Sequence, residues 1–248
     1  MNTIDINCDM GEGLNNDSLL MPYISSANIA CGYHAGDESI MKQTVELAIQ
    51  NKVSVGAHPG FADKINFGRT EMQLPLNEVY DLITEQIHFL QQITKTMGTK
   101  LHHVKPHGAL YNMAAKNALL ANIIAKAVYA VDPALVLFGL SGSYSISEAK
   151  KNGLKTASEV FADRTYQDDG SLTPRSQTNA MIETAEQSLA QVLQMTEQKT
   201  VTSITGKQVS IVAETICLHG DGAHAVQFAK SIHEALQQYH ILIKPITN

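Results

Sequence analysis

The sequence predicts a single α/β domain of the barrel type, and three observations lead to this fold class. Apolar runs of strand length alternate with longer segments of helical periodicity, as in βα units around a mainly parallel sheet. Histidines come directly after several of the strand-like runs, at His34, His58, His107 and His219. No Ser-, Gly- or Pro-rich linker divides the 248 residues, so we expect one domain over residues 1–248.

Seven strand-like runs occur along the chain, each short, apolar and bounded by polar or glycine-containing turns. A weaker alternation over residues 201–211, with Gly206-Lys207 at its centre, predicts a β-hairpin before the last strand. The seven predicted strands cover residues 3–8, 26–31, 53–57, 101–105, 135–139, 155–161 and 215–219.

Six segments with helical spacing of apolar residues lie between or after these strands. Asp37 precedes the first as a typical N-cap, and Gly98 follows the second as a natural helix stop. We interpret the apolar faces of all six as surfaces that pack on the sheet. The predicted helices cover residues 38–51, 77–97, 117–131, 144–152, 178–196 and 223–239.

Composition excludes several classes of protein. The formal charge of -6 argues against a phosphate-binding surface, so nucleic acid is not an expected partner. Three cysteines, Cys8, Cys31 and Cys217, lie in or beside apolar runs and are expected to be reduced core thiols. The N-terminus lacks the pattern of a signal peptide, and no apolar stretch is long enough to cross a bilayer. We therefore expect a cytoplasmic protein.

The first two strands end in segments that suit a ligand pocket. The first ends in a glycine-rich turn that carries Asp9 and Glu12, two carboxylates able to act as general acid and base or to bind a metal. His34 after the second strand and His58 after the third are flanked by small residues, which leave room around the rings. Because such strand ends meet at one rim of a barrel, we expect these side chains to converge.

The later loops add cations and further histidines. Lys105 and His107 flank a proline where a strand passes into a helix, so a cation and a proton carrier are placed together. Arg69 follows a loop, residues 61–67, that we interpret as a lid over the pocket. The remaining candidates after the late strands are Arg164, which follows Asp163 and Glu159, and the pair of His219 and Asp221.

Motifs for a P-loop, a serine hydrolase elbow, a zincin and a zinc ribbon are absent from the sequence. If ATP takes part in the reaction, we do not expect this chain to hold it in a Walker-type site. The sequence leaves open whether the protein binds a divalent metal. The candidate ligands for it are Asp9, His34, His58 and Asp221, although no compact motif fixes any two of them.

Seven blocks of the sequence, in order and over nearly the whole chain, closely resemble the LamB/YcsF family. The resemblance implies an irregular seven-stranded β/α barrel related to the glycoside hydrolase and deacetylase folds. It also implies ATP-dependent opening of the lactam ring of 5-oxoproline to L-glutamate, together with two partner subunits, B and C. The blocks are NCDMGEG (7–13), SANIACGYHAGD (26–37), GAHPG (56–60), FGR (67–69), HVKPHGALYN (103–112), FADR (161–164) and CLHGD (217–221).

A lactam is a poor electrophile, so this activity needs an activated carbonyl, an attacking water and a proton for the leaving nitrogen. We expect the partners to phosphorylate the substrate with ATP as co-substrate, and this chain to receive the product. Asp9 or His58 would then activate water, and His107 or His219 would protonate nitrogen. The expected substrate-binding residues are Glu12, His34, Arg69, Lys105 and Arg164.

Two other functions are compatible with the sequence. The first is a metal-dependent amidase or deacetylase acting on a carbohydrate, an idea that rests on fold kinship alone. The second is a binding subunit without catalytic groups, which predicts that alanine at His58, Lys105 or His107 leaves the activity of the complex intact.

Overall fold

A closed barrel of seven parallel strands forms the centre of the protein. The structure is a computed structural model that describes residues 3–220 and 225–247. The ten strands are β1 (Thr3–Met10), β2 (Ser26–Ala30), β3 (Ser54–His58), β4 (Leu101–Val104), β5 (Val136–Leu140), β6 (Lys155–Phe161), β7 (Thr200–Thr202), β8 (Gln208–Ser210), β9 (Thr215–His219) and β10 (Leu242–Ile243).

The barrel closes because β9 pairs in parallel with both β6 and β1. Strands β1 to β6 pair in chain order between these two contacts, so the seven strands predicted from the sequence are the seven of the barrel. Strands β7 and β8 form the predicted antiparallel hairpin. The short β10 pairs with residues 3–4 of β1. It was not predicted, because two paired residues leave no periodic pattern.

Helices surround the barrel on its outer face. Within the described residues, no helix has the length and apolar content needed to cross a membrane. The helices are α1 (Asp17–Leu20), α2 (Glu38–Asn51), α3 (Leu76–Thr96), α4 (Gly108–Lys116), α5 (Ala118–Val131), α6 (Tyr144–Lys151), α7 (Ala185–Leu193) and α8 (Ala225–Gln238).

Most predicted helices are found within a residue or two of their expected bounds, with one clear exception. The helix predicted over residues 178–196 begins only at Ala185, where the side chain of Thr184 accepts a hydrogen bond from the first turn. The preceding segment forms a turn over residues 178–180 instead, followed by an antiparallel bridge between Met181 and Arg164. Helix α4 was not predicted as a separate element. Residues 223–224 of the last predicted helix lie outside the described residues.

The interior of the barrel is polar. Along β1, Asp5, Asn7 and Asp9 contact polar groups of other strands across the interior, as the two-residue period of a strand allows. The intervening Ile6 and Cys8 belong to the apolar core shared with the helices. The three cysteines are buried free thiols, as expected. The apolar core therefore lies outside the barrel wall, and the chemistry-bearing groups lie inside.

Asp5 is the deepest of these interior acids. Its carboxylate accepts hydrogen bonds from the hydroxyls of Ser25, Ser26 and Thr215. Burial raises the pKa of Asp5 to about 6, against the lowering effect of these hydrogen bonds. The native state therefore binds more protons than the unfolded chain between about pH 4 and pH 6, and this group destabilises the fold as the pH rises through that window.

Replacing Asp5 by Asn is expected to remove this pH dependence. Wild-type protein should lose up to roughly 3 kcal/mol of unfolding free energy from this group between pH 4 and pH 6, and Asp5→Asn should not. Urea denaturation at several pH values measures the difference. Asp81→Asn, on the exposed face of α3, serves as the control and should follow the wild-type profile. Parallel profiles for wild type and Asp5→Asn would contradict the prediction.

Candidate active site

The carboxyl ends of the barrel strands meet at one rim, and the predicted site residues gather there. Asp9 and His58 are in β1 and β3, Lys105 and His107 follow β4, and His219 ends β9. A cavity of about 450 Å³ opens at this rim, and all five of these residues line it. Loops far apart in the sequence thus form a single polar pocket, as a parallel barrel requires.

The ammonium group of Lys105 lies at the base of the pocket and contacts two buried carboxylates. Its Nζ is 2.9 Å from Asp9 Oδ1 and 2.9 Å from Glu159 Oε1. It also donates to Asn7 Oδ1 at 3.2 Å and to Cys217 Sγ at 3.0 Å. An ammonium has three protons, so these contacts occupy it fully. Lys105 therefore supplies one positive charge that Asp9 and Glu159 share before any substrate is present.

Asp9 stays ionised in this setting. Burial alone would raise its pKa, but the neighbouring His58 ring and the Lys105 ammonium outweigh burial and hold the pKa of Asp9 well below its usual value. Asn28 Nδ2 donates to Asp9 Oδ1 at 2.8 Å, and His103 Nε2 in turn lies 2.8 Å from Asn28 Oδ1. The carboxylate is thus fixed in orientation, with Oδ2 directed towards His58 at 3.3 Å.

His58 and His107 contact each other, and each has one ring nitrogen already engaged. His58 Nδ1 donates to the carbonyl oxygen of Lys105 at 2.7 Å. His107 Nε2 donates to the carbonyl oxygen of Phe67 at 2.9 Å. The two remaining nitrogens, His58 Nε2 and His107 Nδ1, are 2.9 Å apart. Burial, followed by the charge of neighbouring His58, holds the pKa of His107 well below its usual value, so its ring is neutral.

Glu12 and His34 complete a buried group beside this pair. Glu12 Oε1 is 3.5 Å from His34 Nε2 and 3.5 Å from His107 Nδ1. The rings of His34 and His107 stack in parallel with centroids 3.8 Å apart. Burial lowers the pKa of His34, so this ring is neutral as well. Glu12 lines the cavity, whereas His34 lies behind its wall. The substrate-binding role predicted for these two residues stays a prediction.

The loop predicted as a lid, residues 61–67, packs over these rings. Phe67 makes edge contacts with His34 and with His107. Gly68 has a positive φ of 62°, and a side chain there would meet His34 Cβ at 2.8 Å, so only glycine allows this close approach. Arg69 then reaches the pocket wall with its guanidinium 4.9 Å from the Phe67 ring centroid. The loop is therefore a packed cover on the histidines.

His219 faces the pocket from the opposite side and is oriented by Asp163. Its Nδ1 lies 2.8 Å from Asp163 Oδ2, and its backbone N–H also donates to that carboxylate. Burial would raise the pKa of Asp163, but the His219 contacts reverse this and lower it. The ring stacks on Phe161 with a centroid distance of 5.6 Å. A carboxylate that holds Nδ1–H leaves Nε2 available for proton transfer.

Cationic side chains, Arg164 among them, line the mouth of the pocket. The guanidinium of Arg164 donates to the backbone oxygens of Ala180 and Thr173. Arg164 thereby also fixes the loop that brings Arg175 to the cavity, which uses two of its five N–H donors. Its predicted contact with substrate stays untested. Asp221, predicted as a metal ligand, lies outside the described residues.

The roles of the side chains that support Asp9 and His219 were not predicted from the sequence. Glu159 and Asp163 were noted only as a local acidic cluster, and Asn28 only as part of a family block. The signal that identifies them is a polar side chain at the inward position of a buried strand, as the alternation of Asp5, Asn7 and Asp9 illustrates.

Comparisons with known proteins agree with this fold. A sequence model of the LamB/YcsF family matches residues 4–248. The A subunit of 5-oxoprolinase from Tolumonas auensis is 53% identical over 98% of this chain and 99% of its own length. The crystal structure of a lactam utilization protein from Thermus thermophilus superposes with a TM-score of 0.93 at 39% identity, covering 98% of this chain and 100% of that one.

A more distant solved structure shares the fold alone. The family 4 carbohydrate esterase from Streptomyces lividans gives a TM-score of 0.53 at 13% identity, covering 99% of this chain and 93% of that one. This likeness agrees with the deacetylase-like barrel expected from the sequence.

Removing the central cation is expected to destabilise the protein strongly. Lys105→Met leaves Asp9 and Glu159 buried without a counter-charge, and breaking such a buried pair costs about 3–5 kcal/mol at neutral pH. Urea denaturation measures the loss. The control is Lys42→Met, which removes an exposed pair with Glu38 and should change stability by about 0.5 kcal/mol at most. A Lys105→Met variant as stable as wild type would refute this account of the barrel interior.

Proposed function

The chain belongs to the LamB/YcsF family, and we propose that it is the ring-opening subunit of an ATP-dependent 5-oxoprolinase, which converts 5-oxoproline to L-glutamate. One observation carries the proposal: a relative 53% identical over nearly its whole length is named as the A subunit of 5-oxoprolinase. The pocket supports it, because a fixed carboxylate and an oriented imidazole, Asp9 and His219, lie side by side on the paired strands β1 and β9. They line a cavity large enough for a small cyclic amide and a phosphate.

The division of work between subunits follows from the chemistry of an amide. An unactivated lactam carbonyl resists water, and transfer of a phosphoryl group from ATP to its oxygen makes the carbon electrophilic. The sequence holds no Walker-type phosphate loop. We therefore assign the phosphorylation to the two partner subunits and the hydrolysis of the labile phosphorylated lactam to this chain.

Asp9 is the group that activates the attacking water. Its Oδ1 is held by Lys105 and Asn28, which leaves Oδ2 as the oxygen able to accept a proton from water. An ionised carboxylate of low basicity suffices as a base when phosphorylation has already activated the carbon. The geometry favours Asp9 over His58 in this role, because His58 Nε2 is directed at His107 and at Asp9 itself.

His219 is the group that protonates the ring nitrogen as it leaves. One water adds to the activated carbon and gives a proton to Asp9, and the C–N bond breaks as the nitrogen takes the proton from Nε2 of the His219 imidazolium. The γ-glutamyl phosphate formed in this way is hydrolysed by a second water to glutamate and phosphate. Asp163 holds the ring and stabilises its imidazolium form, which the proton held by Asp9 restores. The geometry favours His219 over His107, since both nitrogens of His107 are directed at protein groups.

Cations at the pocket mouth suit the anionic parts of the phosphorylated substrate. Arg69, Lys116 and Arg175 line the cavity above Asp9 and His219. A guanidinium binds carboxylate or phosphate oxygens in pairs, which fits a ligand that carries both groups. The buried Lys105, in contrast, supplies a fixed positive charge beneath the reacting carbon.

The first experiment tests the division of work between the subunits. Purified chain incubated with 5-oxoproline and ATP is expected to give no glutamate, because it lacks the phosphorylating activity. Adding the two partner subunits should give glutamate and phosphate in equal amounts. Robust glutamate formation by the chain alone would contradict the assignment. Release of acetate from N-acetylated sugars would instead favour a carbohydrate deacetylase.

The second experiment tests the proton donor. His219→Asn in the reconstituted complex is expected to lower kcat by about 10²- to 10⁴-fold, the usual value of a positioned general acid. Asp163→Asn should lower kcat as well, because the ring loses its orientation. His240→Asn, at an exposed turn, is the control and should retain wild-type activity. If both pocket variants keep wild-type activity, the chain is a binding subunit without catalytic groups.

A further inference from the structure

Four side chains that take no part in the proposed reaction form a buried group next to the pocket. Glu12, His34, His58 and His107 each offer one ligand atom, and these atoms all lie within 4.8 Å of one another. The side chains of all four are at least nine-tenths buried. Ionisable groups are rarely placed together away from water without a charge to hold them.

Hydrogen-bond accounting shows that, with neutral rings, this group lacks a proton or a metal cation. The carbonyl oxygens of Lys105 and Phe67 only accept, so the N–H of His58 must be on Nδ1 and that of His107 on Nε2. In neutral rings, His58 Nε2 and His107 Nδ1 then face each other with two lone pairs at 2.9 Å.

The remaining polar atoms of the group lack partners: Glu12 Oε1 is an acceptor without a donor, and neither ring nitrogen of His34 has a hydrogen-bond partner within the described residues. The separation of 3.5 Å between Glu12 Oε1 and His34 Nε2 exceeds that of an ordinary hydrogen bond. One shared proton between His58 and His107 would satisfy that pair alone and leave Glu12 and His34 unpartnered.

We propose that Glu12 Oε1, His34 Nε2, His58 Nε2 and His107 Nδ1 bind one divalent metal ion of the zinc class. The donor set of three imidazoles and one carboxylate is typical of Zn²⁺. Bonds of about 2.0–2.1 Å in a tetrahedron separate the ligand atoms by about 3.3 Å. Three separations, 2.9 Å between His58 and His107 and 3.5 Å from Glu12 to His34 and to His107, bracket this value. Because the His34 and His107 rings are stacked in parallel, metal binding requires the His34 ring to turn until its lone pair faces the ion.

The surroundings of the rings support the same conclusion. Imidazoles that bind metals usually donate their second N–H to a backbone carbonyl or a carboxylate. His58 and His107 both do so, to Lys105 and to Phe67. The packed lid over His34 and His107 shields the site from water. The ligand set thus differs from the one considered from the sequence, which included Asp9.

A second cluster of potential ligands, Asp9, Cys217 and His219, is not a metal site by the same reasoning. The ammonium of Lys105 lies 2.9 Å from Asp9 and 3.0 Å from Cys217. A fixed cation already occupies the position that a metal would need there. Of these two clusters, the group around Glu12 is the one that combines ligand atoms with a missing positive charge.

Metal binding by the isolated chain tests the proposal. Chain freed of metal by a chelator is titrated with Co²⁺ and with Zn²⁺, without substrate or partner subunits. We expect one equivalent of Co²⁺ to give the visible absorption of a tetrahedral site, and one equivalent of Zn²⁺ to abolish it. Zn²⁺ should also raise the melting temperature, because a ligand that binds only the native state stabilises it.

Ligand variants locate the site. Glu12→Gln and His34→Asn, checked for folding by circular dichroism, should each weaken Zn²⁺ binding by more than about 100-fold, beyond the range seen when only an outer partner is lost. His88→Asn, on the exposed face of α3, should bind as wild type does. No uptake by wild-type protein, or uptake unchanged in both ligand variants, would overturn the proposal.

The metal-binding experiment and the test of the proposed function can fail separately. The inference rests on the proposed function only for the position of the pocket. A chain that opens the lactam in the complex but takes up no metal refutes the metal site alone. A chain that binds Zn²⁺ through Glu12 and His34 but supports no glutamate formation refutes the 5-oxoprolinase assignment alone.

Discussion

The contact of one buried ammonium with two buried carboxylates is the constraint on which the rest of this barrel depends. Asp9 and Glu159 belong to β1 and β6, the two strands that flank β9, and Lys105 reaches both from the end of β4. Each charge alone would be expensive to bury, and together they allow a polar lumen at the centre of a folded domain. Because the ammonium is fully occupied, the ionised state of Asp9 is built into the fold and does not await a ligand.

This arrangement divides the pocket into regions with different tasks. Asp9 Oδ2 has one longer contact, 3.3 Å to His58, and His219 Nε2 is opposite the nitrogen that Asp163 holds, while His58 and His107 have their second nitrogens directed at one another. The distinction depends on the protein group that contacts the second polar atom of each side chain. A carboxylate at Nδ1 prepares His219 for proton transfer, whereas carbonyl oxygens behind His58 and His107 prepare those rings to act as ligands. Histidines that look alike in the sequence thus fall into two chemical classes.

Much of the fold could be predicted from the sequence, because strand-length apolar runs and helical periodicity are local signals. The seven strands of the barrel and the hairpin were found this way. The helix expected from residue 178 was wrong at its start, since residues 178–181 form a turn and a bridge that Arg164 holds through the carbonyl of Ala180. At the site, histidines after strands were visible as candidates. Their pairing was not, because it depends on tautomers fixed by the carbonyls of Lys105 and Phe67, and a sequence does not show which carbonyl lies near which ring.

The polar interior of the barrel also affects how the chain folds during synthesis. The strand that closes the barrel, β9, is made about two hundred residues after its partner β1, so the wall must remain open through most of synthesis. An open sheet usually presents hydrocarbon on its unfinished side and invites aggregation. Here the unfinished side carries carboxylates, amides and hydroxyls that water solvates well. The residues that form the finished pocket therefore also keep the nascent chain soluble until β9 has been synthesised.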